Sequence, residues 1–258
     1  MVMSLRECYE GVRRLDPDLK IDSFEVAEEV SRIRQFWKPE TVRVVLLAES
    51  HAHTRRKDFA NSWQIPKTVY HGRYVRFVYC LANGESRLVP SVPRNPGTSQ
   101  FWKILFSCLH QISTNNDFRP ILRSTPTDDR ISNKISVLAG LKREGIWLMD
   151  ASIVGVNRLE SLTLRKRVLQ ACWNYTYSAL QELNPRPEYM IIIGCFVKKA
   201  LKKQIDSLEI KYISLPQPQA HLPAPGYRQF YEVYYQICSK SGAGVEAQQI
   251  QQSLGCKE

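Results

Sequence analysis

Four short apolar runs, rich in β-branched residues, are the strongest constraint on the fold of this 258-residue chain. They lie at 41–48, 145–149, 189–193 and 210–215. Runs that are apolar at consecutive positions are typical of strands buried on both faces, as in parallel sheets. Because helical patterns separate the last three runs, we expect an α/β fold. The predicted architecture is a three-layer α/β/α arrangement around a central, mostly parallel, four-stranded sheet.

The remaining segments are predicted to surround this sheet within one domain. Asn83-Gly84 stands between stretches rich in β-branched and aromatic residues and favours a two-residue hairpin turn. Asp22 or Ser23 is the expected N-cap of the second helix, and the polar stretch 111–135 is expected to be loop. The single domain, 1–258, is predicted to contain two N-terminal helices at 1–36, an inserted β-hairpin at 69–89 and a C-terminal tail at 240–258.

The charge balance is strongly basic, since 36 Lys and Arg residues against 25 Asp and Glu give a formal net charge of +11. The positive residues are spread along the chain. This distribution favours a surface for a polyanion such as nucleic acid over charge that only keeps the protein in solution. No apolar run is long enough to cross a membrane and no signal peptide is evident, so we expect a cytoplasmic protein without a membrane partner.

Polar residues follow the predicted strands at the points where ligands bind in open parallel sheets, beyond the carboxyl ends. The first run is followed by Glu49-Ser50-His51-Ala52-His53 and the second by Asp150-Ala151-Ser152. Gly194-Cys195-Phe196 follows the third run, and a Pro-rich segment reaching His221 follows the fourth. Any one of these groups could simply cap a helix, but four coincident ends favour a functional site.

The residues after the first strand suggest two other chemistries. His51 and His53 with a carboxylate suggest a metal, but no third ligand has typical spacing, so neither a metal nor a cofactor is expected. The seven cysteines contain no Cys-x-x-Cys pair, which argues against a zinc ribbon. Ser50-His51 suggests a nucleophile and its base, but adjacent residues seldom form that hydrogen bond and no Gly-x-Ser-x-Gly elbow is present.

The order of these motifs resembles that of the uracil-DNA glycosylase superfamily over roughly 40–239, closest in look to its hypoxanthine-specific and mismatch-specific branches. Ala48-Glu49-Ser50-His51 takes the place of the family's first motif, and Asp150 ends the second strand as in some branches. Ile193-Gly194-Cys195-Phe196 is similar to the family's third-strand turn. The second signature falls on Leu215-Pro216-Gln217-Pro218. The departures are His51 where the family has Pro, and Leu215 where it has His. Members with an iron–sulfur cluster carry a close pair of cysteines near the N-terminus, which this chain lacks, so no cluster is expected.

The resemblance implies a DNA glycosylase that hydrolyses the N-glycosidic bond of a flipped deaminated or damaged base, acting as a monomer on double-stranded DNA. Because the second-signature His is missing, a non-catalytic nucleic-acid-binding module with the same fold is an alternative. A metal-assisted small-molecule hydrolase is another.

The site residues are predicted in three groups. Glu49 is expected to position water and stabilise the sugar cation, with His51, His53 or His221 donating to the leaving base. Base recognition is assigned to Asp150, Ser50, Phe59 and Asn157, with Trp63 and Tyr70 as further stacking candidates. Contacts with DNA are assigned to Arg55, Arg56, Lys57, Arg73, Arg76, Arg94, Pro216, Gln217, Pro218 and Gln219. Because an ionised Asp only accepts hydrogen bonds, Asp150 favours a base edge that presents donors, such as the N1–H of hypoxanthine.

Overall fold

A four-stranded parallel sheet lies at the centre of the computed structural model, which describes residues 3–65, 68–92, 98–218 and 224–239. The strands of the chain are β1 (Val44–Ala48), β2 (Ser62–Gln64), β3 (His71–Arg73), β4 (Ile146–Asp150), β5 (Tyr189–Ile193) and β6 (Lys211–Leu215). The sheet has the order β4-β1-β5-β6 and all its pairs are parallel. The predicted α/β architecture is thus confirmed.

Helices cover both faces of the sheet. They are α1 (Leu5–Arg13), α2 (Phe24–Phe36), α3 (Arg56–Phe59), α4 (Thr98–Ser107), α5 (Thr127–Arg143), α6 (Leu162–Gln181), α7 (Cys195–Asp206) and α8 (Ala224–Cys238), with a 3-10 helix at Asn115–Ile121. Val44 and Leu46 of β1 pack in the core formed with α2, α4, α5 and α8. Val45 and Leu47 point the other way, into the core formed with α1, α6 and α7. Among the described residues, none of the helices is long and apolar enough to span a membrane.

The register brings the ends of the strands to one edge. Ala48 at the end of β1 pairs with Asp150 at the end of β4, and Ile193 pairs with Leu215. The chain runs from β1 to β4 on one side and then crosses to β5 on the other side of β1. The order therefore reverses beside the carboxyl end of β1, which is where ligands bind in sheets of this type.

The inserted antiparallel pair is present, but its position was predicted wrongly. Its strands are β2 and β3, with Trp63 paired to Gly72, whereas the residues on either side of Asn83-Gly84 form turns. The segment 74–92 buries Tyr74, Phe77 and Tyr79 in the core instead of extending them along a strand. The apolar residues that suggested strands are thus explained by burial of a compact loop.

Buried ion pairs hold that loop to α5. Glu85, 1% exposed, accepts hydrogen bonds from Arg130 at 2.9 and 2.6 Å and from Lys134 at 2.5 Å. Burial opposes ionisation of Glu85, but the two cations outweigh it and lower the pKa of this carboxyl below its ordinary value. The prediction of a loop at 111–135 was wrong, since this stretch contains the 3-10 helix and the first half of α5. Its polar residues suggested a loop, but Arg130 and Lys134 lie on the buried side of α5, where they pair with Glu85.

The two N-terminal helices are confirmed. Ser4 caps α1 in a capping box with Glu7. Ser23, and not Asp22, is the N-cap residue of α2. The predicted tail 240–258 lies outside the described residues.

Candidate active site

A cavity of about 320 Å³ lies at the carboxyl edge of the sheet, beside the ends of β1, β4 and β5. We call it the edge cavity. Its lining comprises Glu49, Ser50, His51, Ala52, Arg76, Phe77, Val78, Asn83, Phe101, Leu148, Asp150, Asn157, Arg165, Ile193 and Gln217. Each of the four sheet strands thus contributes a residue at or just after its end.

Glu49, the first residue after β1, is held at both carboxylate oxygens. Arg165 donates to its Oε1 from Nε at 3.0 Å and also from Nη2, and Gln217 donates from Nε2 to Oε2 at 3.1 Å. Glu49 itself is 8% exposed. The charge of this carboxylate is therefore balanced by one guanidinium while the group still faces the cavity.

Asp150, the last residue of β4, is held at one oxygen. Arg34 of α2 donates to its Oδ2 at 2.6 Å, and the backbone N–H of His51 donates to the same atom at 3.1 Å. The side chains of Arg34 and Asp150 are 8% and 2% exposed. Both hydrogen bonds use Oδ2, so Oδ1 is the oxygen that remains for a ligand in the edge cavity.

His51 lies between two carboxylates. Its Nε2 is 3.1 Å from Asp22 Oδ2, and its Nδ1 is 3.7 Å from Asp150 Oδ2, beyond hydrogen-bonding distance. Burial favours the neutral ring, but Asp150 and Asp22 outweigh it and raise the pKa of His51 to about 9. His51 is therefore an imidazolium at neutral pH. We call Asp22, His51, Asp150 and Arg34 the buried charge network.

Asp22 ties three chain segments together. It accepts from the backbone N–H of Thr54 at 2.5 Å and of Gly155 at 2.6 Å, besides its contact with His51. Burial raises the pKa of Asp22, but hydrogen bonds from His51, His53 and Thr54 outweigh it, so the pKa lies well below its ordinary value. A Cβ at Gly155 would come within 2.5 Å of the His53 backbone nitrogen, so this close approach requires glycine.

The contacts of His51 and His53 with Asp22 affect whether these histidines could bind a metal. A protonated imidazole offers no lone pair to a metal, and His51 is protonated and paired with Asp22. His53 Nδ1 likewise lies 3.2 Å from Asp22 Oδ1. Within the described part of the chain, no three metal-ligating side chains come together.

The structure brings together most of the residues predicted after the first two strands. Glu49, Ser50, His51, Asp150 and Asn157 all line the edge cavity, as do Gln217 and Arg76. Ser50 Oγ accepts from the Val156 backbone N–H at 3.2 Å, and Asn157 Oδ1 accepts from that of His53 at 2.6 Å.

Other predicted residues lie elsewhere. His53 and Phe59 do not line the edge cavity; His53 faces Asp22, and the Arg73 guanidinium lies 6.0 Å from the Phe59 ring centroid. Trp63 and Tyr70 were wrong as exposed stacking candidates, because both are 4% exposed and pack against each other in the core. Three predicted residues, His221, Gln219 and Arg94, lie outside the described residues.

The predicted DNA contacts differ in exposure. Arg56, Lys57, Arg73 and Gln217 are exposed, and Pro216 is half-buried. Arg55 is half-buried and pairs with Asp58 at 2.8 Å. Pro218 is buried, so its ring stabilises the loop after β6 and does not face solvent.

Sequence reasoning missed four residues of the site: Asp22, Arg34, Phe77 and Arg165. Arg34 carries a usable signal, since it falls on the buried stripe of α2 with Ala27 and Val30, where a charge requires a partner. Arg165 carries another. It lies at the start of α6, whose first turn has no acidic residue, and a cation there opposes the helix dipole.

The comparisons with known proteins give structural similarity only. No family model and no curated protein matches the sequence. Among solved structures, the wild-type UNG of Nitratifractor salsuginis aligns at 15% identity with a TM-score of 0.36, covering 70% of this chain and 66% of that chain. A mutant of the same UNG aligns at 13% identity with a TM-score of 0.38, covering 82% and 72%. The alignment thus spans just under two thirds of the wild-type UNG, and similarity at this level carries no conclusion about activity.

Proposed function

We propose that this chain is a DNA glycosylase-like protein that hydrolyses the N-glycosidic bond of a flipped base in double-stranded DNA. The observation that supports this best is the composition of the edge cavity. It combines a carboxylate at the end of β1, hydrogen-bonding groups at the ends of β4 and β6, and two aromatic side chains, Phe77 and Phe101. A base that leaves its duplex needs all three kinds of group.

The size of the cavity suits a single base. Ligand cavities usually span about 300–1,000 Å³, and 320 Å³ is at the small end of that range. Phe77 is only 2% exposed but, unlike Trp63 and Tyr70, it lines the cavity, where its ring offers a stacking contact that every base can make. In this proposal Phe77 takes the role that the sequence suggested for Phe59.

The charges suit the reaction. As the N-glycosidic bond breaks, positive charge develops on the sugar and the bonding electron pair leaves with the base, while water adds to C1′. Glu49 supplies a carboxylate for the sugar and for the attacking water. The His51 imidazolium and the Arg34 guanidinium balance the carboxylates of Asp22 and Asp150, so the wall beside the departing base carries no net negative charge. Asp150 and Asn157 line the same wall and contact the base edge.

The phosphate contacts come from the positive residues after β1 and in the insert. Arg56 and Lys57 are exposed on α3, a few residues beyond Glu49, and Arg76 lines the cavity. We expect duplex affinity to fall steeply as salt rises, because each neutralised phosphate releases counterions.

Matched variants make the salt prediction specific. Arg56→Gln and Lys57→Gln should each reduce the slope of log affinity against log salt by about 1. Lys211→Gln removes an equally exposed charge from the amino end of β6, at the opposite edge of the sheet, and should leave the slope unchanged. A salt-independent affinity for the wild-type chain would contradict a nucleic-acid surface.

The decisive test is single-turnover base release by the full chain on duplexes carrying uracil or hypoxanthine. Release above the uncatalysed rate supports the proposal, and no release from either duplex contradicts it as an activity. Tight binding to abasic duplex without release would instead support a non-catalytic DNA-binding module. Leu215 favours that second candidate, since a fully buried leucine stands where the resembling family places a histidine.

A further inference from the structure

We infer that Arg34 is a positioning residue that determines specificity. It holds the Asp150 carboxylate at the base edge as a group that only accepts hydrogen bonds. This arrangement favours bases whose ring N–H has one neighbouring carbonyl, as in hypoxanthine. It disfavours bases whose ring N–H has two neighbouring carbonyls, as in uracil. This inference rests on the proposed function and deepens it.

The first step is to count which hydrogen-bond acceptor positions of the Asp150 carboxylate are already used. A carboxylate has about four acceptor positions on two oxygens. The Arg34 guanidinium and the His51 backbone N–H take two of them on Oδ2. Both partners are donors, so they fix the carboxylate through Oδ2 and leave Oδ1 as the oxygen available to the base edge.

The second step is the charge around Asp150. Arg34 faces it from α2, and the His51 imidazolium faces it from the loop after β1, with Asp22 behind that ring. The Tyr79 hydroxyl from the insert lies nearby and accepts from the Leu148 backbone N–H. Glu49, on the neighbouring strand end, is paired with Arg165 and so adds little net charge. Arg34 is the cation that contacts Asp150 directly.

The third step is which base edge a carboxylate at this position attracts. An Asn side chain at this place would offer both a donor and an acceptor, and so would a protonated carboxyl. An ionised carboxylate only accepts, so it attracts a ring N–H and repels the carbonyl oxygens beside it. The N1–H of hypoxanthine has one carbonyl neighbour and the N3–H of uracil has two. The preference therefore depends on a carboxylate held with Oδ1 toward the base edge, and holding it there is the role assigned to Arg34.

The experiment measures the ratio of hypoxanthine to uracil release at neutral pH. We expect the wild-type chain to favour hypoxanthine. In Arg34→Gln, Asp150 loses the guanidinium that holds its Oδ2, so the ratio should shift toward uracil by about ten-fold or more. Asp150→Asn should show the same shift, and Arg34→Lys should restore the wild-type ratio.

Arg32→Gln is the matched control. Arg32 is also on α2 and also pairs with a carboxylate, Glu29 at 2.8 Å, but its side chain is 44% exposed, and residues two apart on a helix do not share a face. Its ratio should equal that of the wild type. A folded Arg34→Gln protein with the wild-type ratio would overturn the inference. The double variant Arg34→Gln with Asp150→Asn gives a second test, which applies if the single variant does not fold, because it leaves no unbalanced charge at this place. A ratio for the double variant that differs from that of Asp150→Asn alone would also overturn the inference.

The same variants separate this inference from the proposed function. Affinity for duplexes with 2′-fluoro nucleotides, which resist hydrolysis, reports the preference of the cavity without any bond cleavage. If the wild type releases neither base, the proposed activity fails. In that case the affinity ratio tests the inference, which fails if this ratio is the same in Arg34→Gln and in the wild type.

Discussion

Glu49→Ala is expected to slow single-turnover base release by about 10²–10⁴-fold, the usual contribution of a positioned carboxylate. The substitution removes the only acidic side chain that follows β1 directly, together with the acceptor for Arg165 and Gln217. Because Arg165 stays in the cavity as an unbalanced cation, affinity for duplex DNA should be maintained or increased. Quench-flow measurement of base release, beside a binding titration, separates the two effects.

Two variants make the Glu49 result interpretable. Glu49→Gln keeps the shape and the contact with Gln217 but loses the charge, so it should lose nearly as much activity as Glu49→Ala. Glu160→Ala removes an exposed glutamate at the start of the segment that leads to α6 and should behave as the wild type. Wild-type release rates in Glu49→Ala would refute the catalytic role of this residue.

Asp22→Asn is expected to destabilise the protein by about 3–5 kcal/mol, because it leaves a buried charge without its partner. The side chains of Asp22 and His51 are both 0% exposed, so water cannot replace the lost contact. For a chain of this size, the melting temperature should fall by roughly 6–20 °C. Thermal and urea unfolding measure both quantities.

The control for Asp22 is Asp128→Asn. Asp128 pairs with Arg87 at the surface, where the two side chains are 71% and 64% exposed. An exposed pair of this kind contributes less than about 1 kcal/mol. A loss for Asp22→Asn no larger than that of Asp128→Asn would show that the buried charge network does not stabilise the fold.

The stability of the wild type should also depend on pH in a defined way. The folded-state pKa of His51, about 9, exceeds its ordinary 6.5. Its contribution is therefore complete below about pH 6.5 and is lost as the pH rises through about 9. The pKa of Asp22 is lowered from 3.8, so its contribution is present above that value and is lost as the pH falls further. Asp22→Asn should reduce the alkaline loss without abolishing it, because Asp150 also raises the pKa of His51, and pH-dependent unfolding measures the change.

Much of the fold could be predicted from local sequence. The four strands were recognisable because each is apolar at successive positions, and the sheet edge that carries Glu49 and Asp150 followed from their alternation with helices. Segment 74–92 could not be predicted, because its buried aromatic residues satisfy the pattern of a strand as well as that of a compact loop. Only the distant partners of Glu85, on α5, decide between the two.

The site was predicted where it depends on position after a strand and missed where it depends on pairing across the molecule. Glu49, His51 and Asp150 follow strands and were found. Arg34 and Asp22 lie more than 90 residues from Asp150 and come from helical or connecting segments, so no local pattern links them to it. Their side chains are fixed by tertiary electrostatics, which no local window of the sequence contains.

The edge cavity has one wall on the loop that Glu85 attaches to α5 and another wall on the sheet. Phe77 belongs to a loop without regular strands, secured by ion pairs to a helix, whereas Glu49 and Asp150 stand directly on the sheet. A loop secured by side-chain contacts opens at lower free energy than a central sheet, so we expect the aromatic wall to open without the carboxylate wall. Amide hydrogens of 74–92 should exchange before those of β1, so that the cavity admits a base by releasing one wall while the other stays rigid.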